Sequence, residues 1–240
     1  MFRKILAMLS FILCLFLLVM MAEGFNPAYE IAAVSGSTPS IDGVIASGEW
    51  DDASSVSFNN TVVYVKQDGK NLYVAFNVSD STVENEDVVA IFIDVENNGG
   101  SSPQPDDILF GISRTGQLIE RQGDNPPGSP TGGWNASASS TSSTWQAEYN
   151  IAYAKIEITA GQPKTLGIAF ESWDYAAGLP VFWPPMTPAE SNYPSNWGNL
   201  TSEENWIPEF SSTILLLTFL VFATVPLILT KKIRYRKAKT

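Results

Sequence analysis

The chain has 240 residues with 25 acidic and 14 basic side chains, giving a formal net charge of −11 at neutral pH. Eight of the basic residues lie in the first four and the last ten positions, so the region between lacks the clustered Lys and Arg that bind phosphate backbones. This excludes nucleic acid as a partner. The chain has no histidine, which excludes Ser-His-Asp and Cys-His catalysis, the usual zinc sites and histidine-ligated haem.

The N-terminal region has the pattern of a secretory signal. Arg3 and Lys4 precede an apolar run over residues 5–21, and the small-residue stretch 22–24 follows. We therefore predict that residues 1–24 are a signal peptide, with an uncleaved anchor as the alternative because the run is long. The only cysteine, Cys14, lies too deep in the run for a lipoprotein site and permits no internal disulfide.

The C-terminal region predicts a membrane anchor. Residues 213–229 are uncharged and mostly apolar, which is about 25 Å of helix and enough to cross a bilayer core. The basic cluster at 231–237 follows directly, and positive charge stays on the cytoplasmic side. The C-terminus is therefore expected in the cytoplasm, and the acidic domain at the outer cell surface.

A short motif precedes the predicted span. Pro208, Glu209 and Phe210, followed by the apolar span and the basic cluster, resemble the archaeal sorting tail named for its Pro-Glu-Phe motif. The resemblance covers residues 208–240 and implies that a sortase-type membrane enzyme recognises these three residues and processes the tail. The alternative is a permanent single-span anchor.

Residues 25–207 predict a single all-β domain. Short segments rich in β-branched and aromatic residues are joined by Gly-containing turns at 68–70 and 114–116, and a Pro- and Gly-rich loop covers 123–133. With no long amphipathic helix, about eight to ten strands predict an antiparallel sandwich. The clear segments are 29–34, 61–67, 72–79, 87–95, 107–113, 117–121, 143–151 and 165–173.

Two of these segments stand at the centre of the prediction. Residues 72–79 alternate apolar and polar side chains, as a strand with one buried face does, whereas 88–93 are apolar without a break. We expect the two to form a pair at the middle of the fold. The loop between them, 80–87, carries four carboxylates, so the end of this pair is the first place to expect a cation.

Four pieces of the domain, taken in order, resemble the family 9 carbohydrate-binding modules and the wider DOMON-like superfamily. They are Ile41-Asp42-Gly43 with residues 49–53, residues 72–80 with 87–94, residues 145–151, and residues 182–184 with 196–198. The resemblance spans roughly residues 30–200. It implies a jelly-roll-like sandwich that binds sugar between aromatic side chains at the end of the sheets, with calcium as a structural element.

A sugar site needs aromatic rings for the apolar faces of a pyranose and oxygen or amide groups for its hydroxyls. Candidates for stacking are Trp134, Trp173, Trp183 and Trp197. Candidate hydrogen-bonding residues are Glu171, Asp174, Tyr175, Asn192 and Asn196. Core packing for the tryptophans and turn formation for the Asn and Asp residues are the alternatives. Trp50 is expected to serve packing alone.

Carboxylates at strand ends are the candidate calcium ligands, with a solvated acidic rim as the alternative. They are Asp80, Glu84, Asp87, Asp94, Asp106 and Asp107. Four Asn-x-Ser/Thr sequons are candidate glycosylation sites, with chance occurrence as the alternative. They lie at Asn59, Asn77, Asn135 and Asn199.

The leading function is a surface-displayed, membrane-anchored carbohydrate-binding module without catalytic residues. A glycoside hydrolase using two carboxylates is the enzyme alternative, since acidic groups are abundant. The DOMON resemblance also suggests haem, but with no histidine and only Met186 in the mature domain we expect none. A structural or adhesive envelope glycoprotein without a sugar site is the remaining alternative.

Overall fold

The computed structural model describes residues 29–206, and all thirteen strands given below lie in that range. The predicted signal segment, sorting motif and span at 213–229 fall outside it. Between residues 29 and 206, no helix is long and apolar enough to cross a membrane.

The first sheet, sheet A, has seven strands. Six of them follow one another across the sheet, and β12 (Leu179–Trp183) pairs with β11. The pair of strands at one edge of the sheet is parallel, and the other pairs are antiparallel. In spatial order the six are β1 (Glu30–Ala32), β13 (Gly198–Thr201), β11 (Leu166–Asp174), β6 (Val88–Asp94), β7 (Asp107–Ser113) and β8 (Leu118–Gln122).

The second sheet, sheet B, has six strands, of which β3 (Ser54–Phe58) pairs with β4 beside the main path. The first two strands of the path are parallel and the other pairs antiparallel. The path runs through β2 (Val34–Ser35), β4 (Thr61–Gln67), β5 (Asn71–Ser79), β10 (Thr144–Ala152) and β9 (Trp134–Ser140).

The all-β prediction is confirmed, and the two sheets form a sandwich, but two details of the sequence prediction are wrong. The sheets are mixed rather than antiparallel, because β1 and β2 each run parallel to a neighbour. Strands β5 and β6 do not pair, since β5 belongs to sheet B and β6 to sheet A. The acidic loop 80–87 therefore crosses from one sheet to the other instead of closing a hairpin.

Aromatic side chains from both sheets meet in the core. Phe76 of β5 packs edge-on against Phe170 of β11, with ring centroids 5.8 Å apart. The hydroxyl of Tyr149 on β10 donates a hydrogen bond to the backbone oxygen of Val89 on β6, at 2.8 Å. Alternate residues of each strand face this core, which leaves the intervening residues on the outer faces of the two sheets.

The outer face of sheet B is covered by the loop that contains the Ile41-Asp42-Gly43 and Glu49-Trp50 pieces. The carboxylate of Glu148, buried on β10, accepts hydrogen bonds from the backbone amides of Asp42 and Gly43 and from the indole of Trp50. As predicted, Trp50 is a packing residue, and it is almost fully buried. The outer face of sheet A is covered only in part, since Phe92, Ala169 and Phe182 are buried on it, and its open portion is the candidate surface for a ligand.

Candidate functional site

Strand β11 places three side chains on the outer face of sheet A. Phe170 points into the core, so by the two-residue period of a strand Ala169, Glu171 and Trp173 point outward. Trp173 is 36% exposed, and its ring contacts that of Tyr175 at a centroid distance of 6.2 Å. Two of the residues that we predicted for sugar binding therefore lie side by side on the outer face, with Trp173 exposed and Glu171 half-buried.

The floor beside Glu171 is made of small residues. Glu171 is in register with Ala90 on β6, and Ala90 is in register with Gly111 on β7. On the other side of Glu171 stands Phe182 of β12. Because the two small residues add little height to the sheet, longer side chains from the neighbouring positions can lie across them.

An aromatic wall rises at one edge of this floor. Trp197 follows two short 3-10 helices, Glu190–Asn192 and Pro194–Asn196, and packs edge-on against Phe92 at a centroid distance of 5.5 Å. Its indole nitrogen donates to the backbone oxygen of Ser191 at 3.0 Å, which fixes the orientation of the ring. The predicted residue Trp197 is thus half-buried and belongs to the same face as Glu171.

Two charged side chains on this face have unused hydrogen-bonding capacity. Burial raises the pKa of Glu171 to about 7, and the positive charge of Arg121 acts in the opposite direction. Arg121 lies on β8, three strands from β11, so the two Cα atoms are separated by roughly 14 Å or more at the usual strand spacing. Within residues 29–206, neither side chain forms a hydrogen bond.

Two other predicted tryptophans are packing residues of the core. Trp134 is 8% exposed, stacks on Tyr149 and donates its indole hydrogen to Glu120 at 2.6 Å. Trp183 is equally buried and stacks on Phe170 at a centroid distance of 5.6 Å. Their ring faces are therefore occupied by protein atoms. The number of tryptophans in the sequence does not distinguish buried ones such as Trp134 and Trp183 from the exposed Trp173. The register of each strand decides whether a ring faces the core or the solvent.

The predicted polar loop residues shape turns. Asp174 accepts a hydrogen bond from the backbone amide of Ala177 at 3.0 Å, and the amide of Asn196 donates to the backbone oxygen of Glu190 at 3.2 Å. Each of these hydrogen bonds stabilises the loop in which it lies. Arg121, Phe92 and Phe182 were not predicted for this face, because their relation to Glu171 depends on which strands become neighbours.

The six predicted metal ligands fall into two clusters at opposite ends of β6. The first contains Asp80, Glu84 and Asp87, and the structure adds Asp174. It also contains a cation of the chain itself, because Nη1 of Arg114 donates to Asp80 and to Asp87, each at 2.9 Å. These buried carboxylates are thus already paired with a positive charge.

The second cluster contains Asp94, Asp106 and Asp107, each of which offers an oxygen within 4.8 Å of the others. Burial, together with the charges of Asp94 and Asp106, raises the pKa of Asp107 to about 7. Asp107 is 3% exposed, and within the described chain its Oδ1 atom has no hydrogen-bond partner. Three hard oxygen donors with an unpaired buried oxygen fit a calcium ion.

The four predicted glycosylation sites differ in exposure. Asn59 and Asn135 are exposed, and Asn77 is half-buried in the middle of β5. Asn199 is 6% exposed, and its side-chain oxygen accepts a hydrogen bond from Asn97 at 3.1 Å. The fold therefore encloses Asn199, whereas Asn59 and Asn135 present their side chains at the surface.

Comparison with known proteins identifies the architecture. No protein-family model matches the chain, and no curated protein matches it in sequence. A family 9 carbohydrate-binding module from Caldicellulosiruptor kristjanssonii, solved with cellotriose, is similar in structure, with a TM-score of 0.56 and 18% identity over 76% of this chain and 95% of that one. The structure of such a module from the same organism with glucose gives 0.55 and 18%, over 73% and 96%.

A third solved structure, a putative carbohydrate-binding protein from Bacteroides uniformis, has a TM-score of 0.50 and 15% identity. The match covers 74% of this chain and all of that one. At these identities the likeness shows the fold, which is that of the family 9 modules named in the sequence analysis.

Proposed function

We propose that the domain binds carbohydrate on the outer face of sheet A. The observation that carries the proposal is the placement of Glu171, Trp173 and Arg121 on one face, with Trp197 as a wall. The solved structures of similar fold include complexes with cellotriose and glucose, which supports the same class of ligand here.

The chemistry of the face suits a neutral sugar. The exposed ring of Trp173 offers an apolar surface for the C–H face of a pyranose, while Glu171 and Arg121 offer an acceptor and several donors for hydroxyl groups. Because these two charged groups are already desolvated in part, a sugar that hydrogen-bonds them replaces water without leaving a polar group unpaired.

The proposed role is binding without catalysis. Glycoside hydrolysis needs two carboxyl groups flanking the scissile bond. Among residues 29–206, Glu171 is the carboxyl group that this face carries in the middle of a strand, while Asp174 accepts a hydrogen bond within its own turn. The similar structures are also described as carbohydrate-binding proteins.

Calorimetric titration of the purified full chain with glucose, cellotriose and a panel of other oligosaccharides tests the proposal. We expect saturable binding that Trp173→Ala, Glu171→Gln or Arg121→Ala each weakens about tenfold or more, equivalent to about 1.4 kcal/mol. Val44→Ala is the matched control, since Val44 is an exposed apolar side chain in the loop that covers the outer face of sheet B. No binding to any sugar, or unchanged affinity in all three variants, overturns the proposal and favours a structural envelope domain.

We also propose that Asp94, Asp106 and Asp107 hold a structural calcium ion. The support is the unpaired buried Oδ1 of Asp107 together with the absence, among the described salt bridges, of any cation bound to these three residues. The ion would supply charge compensation, and the carboxylates would tie the end of β6 to the start of β7. In the other cluster, Arg114 already supplies a positive charge to Asp80 and Asp87.

We infer further that the protein is exported and held at the outer cell surface. The support is the sequence pattern of both ends, with a signal-like start, an apolar span and a basic end. Processing at Pro208, Glu209 and Phe210 by a sortase-type enzyme belongs to the same proposal. Intact-mass measurement of the protein isolated from its membrane, compared with the full sequence, distinguishes a removed tail from a permanent anchor.

A further inference from the structure

An aromatic groove of about 580 Å³ lies where the edge strands β3 and β12 of the two sheets come together. Its volume is within the range of about 300–1,000 Å³ typical of small-ligand sites. Apolar rings form most of its wall, and polar groups stand at the rim. The residues that matter here are Tyr29, Phe58, Pro180, Trp183, Met186 and Asn59.

The wall of this groove exposes apolar surface to water. Tyr29 is 42% exposed and packs edge-on against Trp183 at a centroid distance of 6.2 Å. Phe58, at the end of β3, is half-buried on the facing side. Rings that are held in place and partly exposed, with polar atoms nearby, match the alternating apolar and hydroxyl surfaces of a sugar.

Asn59 stands on the rim and begins the sequon Asn59-Asn60-Thr61. It occupies the turn between β3 and β4 with a φ of 47°, a left-handed conformation that Asn tolerates better than most residues. Its carboxamide is exposed and donates a hydrogen bond only to the neighbouring side chain of Asn60, at 3.2 Å. The turn therefore presents the nitrogen that N-glycosylation modifies.

The other sequons lack this arrangement. Asn199 is enclosed by the fold, and Asn77 lies in mid-strand between β4 and β10, within hydrogen-bond range of Gln146. Asn135 is exposed on the edge strand β9, but it does not line the aromatic groove. Among the four sequons, Asn59 is the one whose exposed amide lies at the rim of this groove.

We propose that Asn59 carries an N-linked glycan whose innermost sugars lie in this groove. In the modification, Nδ2 of Asn59 forms a bond to C1 of the innermost sugar as the bond from C1 to the phosphate of a lipid-linked oligosaccharide donor breaks. The lipid phosphate leaves with the electron pair, and the amide loses one proton. Because the glycan is covalently attached to Asn59 at the rim, the effective concentration of its sugars at the groove is on the order of millimolar. Weak contacts with Tyr29 and Phe58 are therefore sufficient to keep the sugars docked. The docked glycan covers the exposed rings and joins the edges of the two sheets, which stabilises the sandwich where its outer strands have no further neighbour.

The test compares the full chain made in a host that exports and N-glycosylates proteins with the same chain made in a host that does not. Glycopeptide mass spectrometry measures occupancy at Asn59 and Asn135, and thermal unfolding measures Tm. Asn59→Asp removes the sequon but keeps a side chain that tolerates the left-handed turn. In the glycosylating host we expect this change to lower Tm by about 2–4 °C, and in the other host to leave it unchanged.

Two further variants make the result specific to the groove. Tyr29→Ala is expected to abolish the difference in Tm between the glycosylated protein and Asn59→Asp, because the docking surface is lost. Asn135→Asp, the matched sequon control, is expected to leave Tm unchanged in both hosts. An unmodified Asn59, or a Tm that responds equally in both hosts, overturns the proposal. Neither Asn59 nor Tyr29 belongs to the proposed sugar-binding face, so this test and that of sugar binding fail independently.

Discussion

The buried carboxylate of Glu148 and the indole of Trp50 are joined by a hydrogen bond of 2.9 Å that fastens a long loop to the outer face of sheet B. The amide of Gly43 donates to the same carboxylate at 2.9 Å. Gly43 has a φ of 85°, and an added Cβ would lie 2.6 Å from the backbone of Ala138, so only glycine fits there. The loop is thus held by the Glu148 carboxylate, which accepts its hydrogen bonds, and by the close approach of the Gly43 and Ala138 backbones.

Glu148→Gln is expected to destabilise the protein by about 1–3 kcal/mol, because a neutral amide cannot accept from all three donors as a carboxylate does. Denaturant unfolding followed by circular dichroism measures the change. Glu203→Gln removes an exposed carboxylate in a terminal turn and is expected to have no measurable effect. Equal effects of the two substitutions would show that the hydrogen bonds of Glu148 do not stabilise the loop.

The Arg114 ion pairs predict a large cost for removing the guanidinium. Arg114→Met leaves the buried carboxylates of Asp80 and Asp87 without their cation, which typically costs about 3–5 kcal/mol. We expect a corresponding fall in the free energy of unfolding, measured by urea titration. Lys70→Met, which removes an exposed positive charge, is the control and is expected to change stability by less than about 0.5 kcal/mol.

Calcium is expected to stabilise the folded protein through the cluster at the start of β7. At a concentration of about 100 times its Kd, a ligand that binds only the native state adds about 2.7 kcal/mol, or roughly 5–10 °C in Tm for a domain of this size. Differential scanning calorimetry with calcium and then with a chelator measures this shift. Asp107→Asn is expected to abolish it, whereas Glu203→Gln is expected to retain it. If calcium still raises the Tm of Asp107→Asn, the ion binds at another site.

The raised pKa of Glu171 predicts a stability that falls with rising pH. The group has an ordinary pKa of 4.5 when unfolded and about 7 in the folded protein, so between these values the folded state holds the additional proton. The unfolded state binds fewer protons there, and stability therefore decreases as pH rises from about 4.5 to 7 and levels off above.

Glu171→Gln removes this titration. Compared with the wild type, the variant is expected to gain on the order of 1–3 kcal/mol in unfolding free energy at pH 8 relative to pH 4. Denaturant unfolding at a series of pH values gives the unfolding free energy of the variant and of the wild type. Subtracting one from the other at each pH cancels the contributions of the other titrating groups. A constant difference across the series would mean that Glu171 titrates normally in the folded state.

Local sequence patterns predicted the strands whose own residues show a clear apolar or β-branched pattern. Segments 61–67 and 107–113 were predicted with the bounds of β4 and β7, and the turns at 68–70 and 114–116 do join neighbouring strands. The missed strands include β3, with the sequence SSVSF, and β9, with WNASASS. Their small polar residues carry no clear apolar period, and edge strands of this kind form because a neighbour offers backbone hydrogen bonds.

The sequence by itself predicted the class of fold and three residues of the proposed sugar-binding face, Glu171, Trp173 and Trp197, because these depend on residue type and on position within a strand or loop. The packing role of Trp50 followed from the resemblance to the family 9 modules. Only the tertiary structure decided that β5 and β6 lie in different sheets, that Arg114 pairs with two carboxylates of one acidic cluster, and that Arg121 shares a face with Glu171. These relations join residues far apart in the chain. They follow from which strands become neighbours, a long-range choice that no local pattern encodes.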